Sequence, residues 1–77
     1  MLNDAQEAVH PAPIVVLPVV PDDPPYRVVE IKGEVAGTAH DMLDVIRLAR
    51  QAELTHIDLD DPAVVRWIGG DQYKWVP

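Results

Sequence analysis

Proline crowding is the feature that most restricts how this chain can fold. Six of the eight prolines, Pro11, Pro13, Pro18, Pro21, Pro24 and Pro25, fall within the first 25 residues. Each fixes φ and lacks an amide donor, so neither a helix nor a central strand is expected to run through this region. The stretch reads as an extended arm of polyproline character, residues 1–25, ahead of a folded unit at residues 26–77. Within the arm, "NDAQEAVH" could form a turn or two of helix capped by Asn3 or Asp4, but alone it would be marginal.

One run in the arm does not suit a solvated linker. "IVVLPVV", residues 14–20, is apolar throughout. Disordered segments are poor in such residues, and an exposed run of this kind is adhesive. Three destinations are compatible with it: an edge strand on the domain with Pro18 on the outer side, pairing with a second copy, or docking on another protein. The partner-binding candidates are therefore Ile14, Val15, Val16, Leu17, Val19 and Val20, and a homodimer is the expected assembly. The PxxP spacings at Pro18, Pro21 and Pro24 have no basic flank and carry little information.

Residues 26–77 read as α+β. "YRVVEI" has strand composition, "KG" suits a two-residue turn with positive φ at Gly33, and "EVAGT" returns as a short strand that Gly37 weakens or bulges. Thr38 and Asp41 fit a capping box for one amphipathic helix ending near Ala52 or Glu53. Met42, Val45, Ile46, Ala49 and Ala52 would form its inner face. No glycine marks its end. "LTHIDL" alternates as a half-buried strand, and "AVVRWI", "GGDQ" and "YKWV" read as a hairpin. Trp67, Tyr73 and Trp75 are expected in the core. The expected architecture is a small antiparallel sheet of four or five strands in the order β-β-α-β-β, with the helix across one face.

The stretch "HIDLDDP" raises the question of chemistry. His56, Asp58, Asp60 and Asp61 are weak candidates for a metal site, since hard cations take carboxylate oxygens. The EF-hand pattern is absent, and the plainer reading is a turn in which Asp60 or Asp61 caps and Pro62 takes the first helical position. No catalytic residue is expected. The chain has no GxSxG, HExxH, Walker or dinucleotide fingerprint, and "GG" at 69–70 precedes no helix. His10, His40 and His56 are isolated in sequence. No cofactor is expected.

Charge narrows the partners. The chain carries 6 Lys+Arg against 13 Asp+Glu, a formal charge of −7. Residues 26–77 hold six basic against nine acidic side chains. Nucleic acid is thus an unfavourable ligand. A DNA-binding dimer would have to gather Arg47, Arg50 and Arg66 on one face, and the likeness of residues 48–68 to a helix-turn-helix fails on spacing. With no cysteine, no basic leader and no long apolar stretch, a cytoplasmic protein without membrane contact is expected. Scarce lysine beside abundant alanine, valine and aspartate is the bias of a GC-rich bacterial genome. The expected class is a small non-enzymatic bacterial protein that acts by protein–protein interaction, as adaptor, regulator or inhibitor. A small dimeric DNA-binding regulator of a mobile element or operon is the alternative, and an acidic mimic of nucleic acid the third.

Overall fold

The computed structural model describes residues 12–77. The expected N-terminal helical turn and His10 lie outside them. Four strands and one helix follow in the order β1 (Ile14–Val20), β2 (Tyr26–Ile31), β3 (Glu34–Ala39), α1 (Met42–Gln51) and β4 (Val65–Trp67). The fold is α+β, with a four-stranded sheet in the order β3-β2-β1-β4. β1 pairs antiparallel with β2, and β2 antiparallel with β3. β4 lies parallel to β1. The sheet is therefore mixed, and the element order is β-β-β-α-β rather than β-β-α-β-β.

The apolar run 14–20 is β1, so the sheet begins at Ile14 and not after an arm that ends at Pro25. The prolines flank this strand more than they interrupt it. Pro13 precedes it, and Pro21, Pro24 and Pro25 form the connection to β2. The one proline inside it, Pro18, falls where the β1–β2 register slips, between Val16 and Val19. β4 reaches only Ile14, Val15 and Val16, so β1 is an inner strand at its start and an edge strand at Pro18. A bulge on an edge is where a missing amide does least harm.

β2 and β3 form the expected hairpin. Lys32 and Gly33 both take positive φ, 54° and 82°, as the tight two-residue turn requires. The register of β2 with β3 slips after Val29↔Gly37 to Glu30↔Val35, which leaves Ala36 as the extra residue of a bulge. Gly37 has a second role. A Cβ there would lie 3.0 Å from Leu48 Cδ2, so glycine gives α1 room to approach the sheet.

α1 starts later than its sequence suggests. Thr38 and Ala39 remain in β3, and Asp41 is the N-cap, accepting from the Asp44 amide at 2.9 Å. The Asp44 carboxylate reaches back to the His40 amide at 2.9 Å, one residue before the N-cap, so the arrangement is a variant of the capping box and lies three residues further along the chain than expected. That hydrogen bond, with help from Arg47, holds the Asp44 carboxyl below its ordinary pKa. At the other end the Glu53 amide donates to Arg50 O and the Leu54 amide to Ala49 O, the Schellman pattern. Glu53 takes its left-handed position at φ 65°, where glycine is usual. This explains why no glycine signals the end of the helix. Glu53→Gly should therefore stabilise the protein, by about 0.5–1 kcal/mol once the extra freedom of glycine in the unfolded chain is offset. A denaturant midpoint that falls in this variant would show that Glu53 makes a contribution beyond its backbone angle.

The core lies between α1 and one face of the sheet. Ile14 and Val16 from β1, Val29 and Ile31 from β2, Ala39 from β3, Val65 from β4 and Val45, Leu48 and Ala49 from α1 are buried there. Residues 54–58 are not a strand. Ile57 and Leu59 pack against the core while their neighbours stay exposed, so the alternation records contact with the core and not a ladder. The expected hairpin at 63–75 is also absent. Residues 65–67 pair with β1, and residues 68–77 form no strand. Among the described residues, no helix is long and apolar enough to cross a membrane.

Candidate functional site

Alternation along β2 puts Arg27 on the same face as Val29 and Ile31, so a cation points into the core. It is fully buried, the only buried polar or charged residue among those described. A guanidinium has five N–H groups, and each finds a backbone carbonyl. Nε donates to Leu17 O at 2.7 Å. One terminal nitrogen donates to Asp71 O at 2.7 Å and Lys74 O at 2.9 Å. The other donates to Ile68 O at 3.0 Å and Gly70 O at 2.9 Å, with Val16 O more distant at 3.5 Å.

Two indoles complete the enclosure. The Arg27 guanidinium carbon lies 5.3 Å from the ring centre of Trp67 and 5.4 Å from that of Trp75, within cation–π range. The two rings meet edge to face, 87° apart at 6.2 Å. Trp67 Nε1 donates to Leu59 O at 3.1 Å and Trp75 Nε1 to Gln72 O at 2.7 Å. Burial pushes the guanidinium pKa down, and Asp71 partly opposes this. An arginine stays protonated regardless, and carbonyl dipoles with two ring faces stand in for a direct carboxylate partner.

This cluster determines the path of the C-terminal segment. Carbonyls at 68, 70, 71 and 74 converge on one guanidinium, which forces a curl where a hairpin was expected. The curl also leaves Tyr73 outside, 72% exposed, contrary to its expected place in the core. Trp67 and Trp75 are half-buried and pack against the core edge. With all five N–H groups engaged, Arg27 has none left for a ligand.

The aspartate stretch is built as a pair of turns. Asp58 accepts from the Asp60 amide at 3.0 Å and Asp61 from the Ala63 amide at 2.9 Å. Asp61 O also receives the amides of Val64 and Val65, so Pro62 opens a single helical turn that leads into β4. Asp60 accepts from Gln72 Nε2, which ties this loop to the C-terminal curl. His56, Asp58, Asp60 and Asp61 do not converge. Among the described residues no group of three or more acidic or histidine side chains is placed to hold a metal ion.

The expected binding residues are dispersed. Ile14 and Val16 are buried in the core and present no surface. Val15, Leu17, Val19 and Val20 are half-buried along β1. Arg47 and Arg50 lie on the outer side of α1, but Arg66 alternates with Val65 and Trp67 and so faces the opposite side of the sheet. The three arginines share no surface within one chain. The second helix of a helix-turn-helix is missing too, because 65–67 is a strand.

What the fold leaves exposed on α1 is a different surface. Leu43, Ile46, Arg47, Arg50 and Gln51 line an open depression of about 430 Å³. Leu43 is 73% exposed. The spacing 43, 46, 47, 50 is a second stripe at helical period, apolar at one end and basic at the other. Arg47 makes a 3.3 Å contact with Asp44, and among the described residues Arg50 makes no ion pair. This stripe was legible, since Leu43 adjoins the predicted inner face. Ile46, expected on the inner face, lines this depression, because period alone does not say which hydrophobes a single helix leaves outside.

The chain matches no protein-family model, no curated protein and no solved structure.

Proposed function

We propose that this chain is a small non-enzymatic protein that acts through protein–protein contact, as an adaptor, regulator or inhibitor, and that the outer stripe of α1 is its contact surface. The observation that carries this reading is the exposure of Leu43 beside Ile46, Arg47 and Arg50 in one open depression. An apolar anchor rimmed by arginine is the composition of an interface centre, where arginine is enriched and lysine depleted. The partner chemistry it fits is an acidic segment with apolar side chains at its centre. Two further observations support the class. The one buried charge among the described residues has its donors engaged by backbone, and the acidic loop carries structural turns.

A photo-reactive amino acid at position 43 tests the reading in cells. A covalent adduct with another protein is expected, and its yield should fall when Arg47→Glu and Arg50→Glu are added. The purified chain should not retard random duplex DNA at low salt. A retardation abolished by those same two substitutions would replace this reading with the DNA-binding alternative.

A further inference from the structure

The sheet has two faces, and α1 covers only one. Val15 on β1 and Tyr26, Val28 and Glu30 on β2 alternate away from the core, as does Arg66 on β4, and Val20 pairs with Tyr26. The only helix among the described residues lies on the other side, packed on β2 and β3. This second face therefore presents a short aliphatic and aromatic strip along β1 and β2.

The charges on this face are arranged with a symmetry. Val15 pairs with Glu30 on one side and with Arg66 on the other. An acid and a base thus stand in one row, each one strand from Val15, and so about 10 Å apart across three strands. Among the described residues they make no ion pair with each other. A two-fold axis along β1, above Val15, exchanges the two positions. It sets Glu30 of one copy over Arg66 of the other, twice, with Val15 against Val15 between them. A surface that is its own complement under a two-fold is the requirement for an isologous dimer.

The geometry points to a homodimer formed by face-to-face packing of this open sheet surface, with Val15 at the centre and two reciprocal Glu30–Arg66 pairs at the rim. The apolar strip of Val20, Tyr26 and Val28 extends the contact toward the β1–β2 connection. A second copy is favoured over another protein because the charge pattern matches itself, in a chain whose overall charge of −7 would otherwise repel its copy. The surface is distinct from the α1 stripe, so a dimer leaves that stripe free for a partner. Within β1, Val15 is the residue that probes assembly. Val16 faces the core and its replacement by aspartate would unfold the chain, whereas Val15 faces the mate.

Sedimentation velocity of the full chain, from low to high micromolar, tests the proposal. The wild type should sediment as two chains at the upper end. Val15→Asp should sediment as one chain, with the far-ultraviolet circular dichroism of the wild type. Glu30→Arg alone and Arg66→Glu alone should each weaken the dimer by tenfold or more, since each brings like charges together. The double variant Glu30→Arg with Arg66→Glu should restore it. This rescue decides the matter even if Val15→Asp fails to fold, because a fold defect would not be repaired by exchanging two charges a strand apart from Val15. A wild type that remains one chain at high micromolar concentration overturns the proposal, as does a dimer unaffected by both single charge changes or not restored by the double one.

Discussion

Arg27→Met should abolish cooperative folding. Methionine matches the arginine stem in length and adds no charge, so the substitution isolates the guanidinium. Of the five carbonyls that accept from it, Asp71 O keeps the Lys74 amide, while those of Leu17, Ile68, Gly70 and Lys74 lose the donor that Arg27 supplies. A buried acceptor left without a partner costs about 1–3 kcal/mol. Even if water reaches several of them, the loss is several kcal/mol. A core of this size supplies only roughly 3–5 kcal/mol. The expected result is collapse of amide proton dispersion and of the near-ultraviolet signal of the two tryptophans. Arg27→Lys keeps the charge but offers three donors from a single point, which cannot span carbonyls arrayed around a planar fork. It too should be severely destabilised, and that separates geometry from charge. If Arg27→Met melts cooperatively near the wild-type midpoint, the carbonyls have other partners and the guanidinium is not what shapes the C-terminal segment.

This one residue accounts for most of the distance between what the sequence announces and what the chain does. Period 2 along Arg27, Val29 and Ile31 was visible, and it placed a cation on the core face of β2. Such a residue is ordinarily read as a strand end pointing to water, because burying a charge without a partner is prohibitive. Its partners here are backbone carbonyls up to 47 positions away, and carbonyls carry no sequence signature. The two tryptophans and the Gly69–Gly70 pair were the available hint. They were consistent with a hairpin, and only the convergence on Arg27 distinguishes a curl from it.

Other elements were legible where the interaction is local. The Lys32–Gly33 turn, the bulge at Gly37, the existence of α1 and the capping turn at Asp61 and Pro62 follow from residues within a few positions of each other. The run at 14–20 is legible as apolar, and an edge strand on the domain is one of its three expected destinations, but the inner position of Ile14–Val16 between β2 and β4 is not legible. Proline density argued against an inner strand, and pairing with β4, which lies some fifty positions downstream, could not be read from the run itself. The parallel direction of β4 has the same origin. A parallel strand needs a crossover, and here the crossover is α1 with the loop that follows, whose aspartates suggested chemistry more than they suggested a path. The candidate contact surface was half visible. Arg47 and Arg50 were singled out, but with Arg66 as a nucleic-acid patch that the sheet divides between its two sides.

Trp67→Ala should cost about 3 kcal/mol or more, toward the lower end of the range for removing a large aromatic because the ring is only half-buried. Three contacts are lost together. The indole packs against the core edge, its Nε1 holds Leu59 O of the loop that leads into β4, and its face lies over the Arg27 guanidinium. The contacts with the core and with Arg27 join segments far apart in the chain, and the bond to Leu59 O ties β4 to the loop before it, so the loss should lower the stability of the whole fold. Trp75 offers a comparison. Its ring contacts the same guanidinium, but its Nε1 bonds only to Gln72 O, three residues back. Trp75→Ala should therefore release the C-terminal curl and lower the midpoint, while β1 to β4 still unfold in one transition. Trp67→Phe should fall between, losing the hydrogen bond to Leu59 O at about 1 kcal/mol but keeping most of the ring. Urea unfolding followed by circular dichroism orders the three variants. If Trp67→Ala proves no less stable than Trp75→Ala, the bridge from Trp67 to the loop contributes little, and the enclosure of Arg27 stabilises this end of the sheet chiefly through the curl.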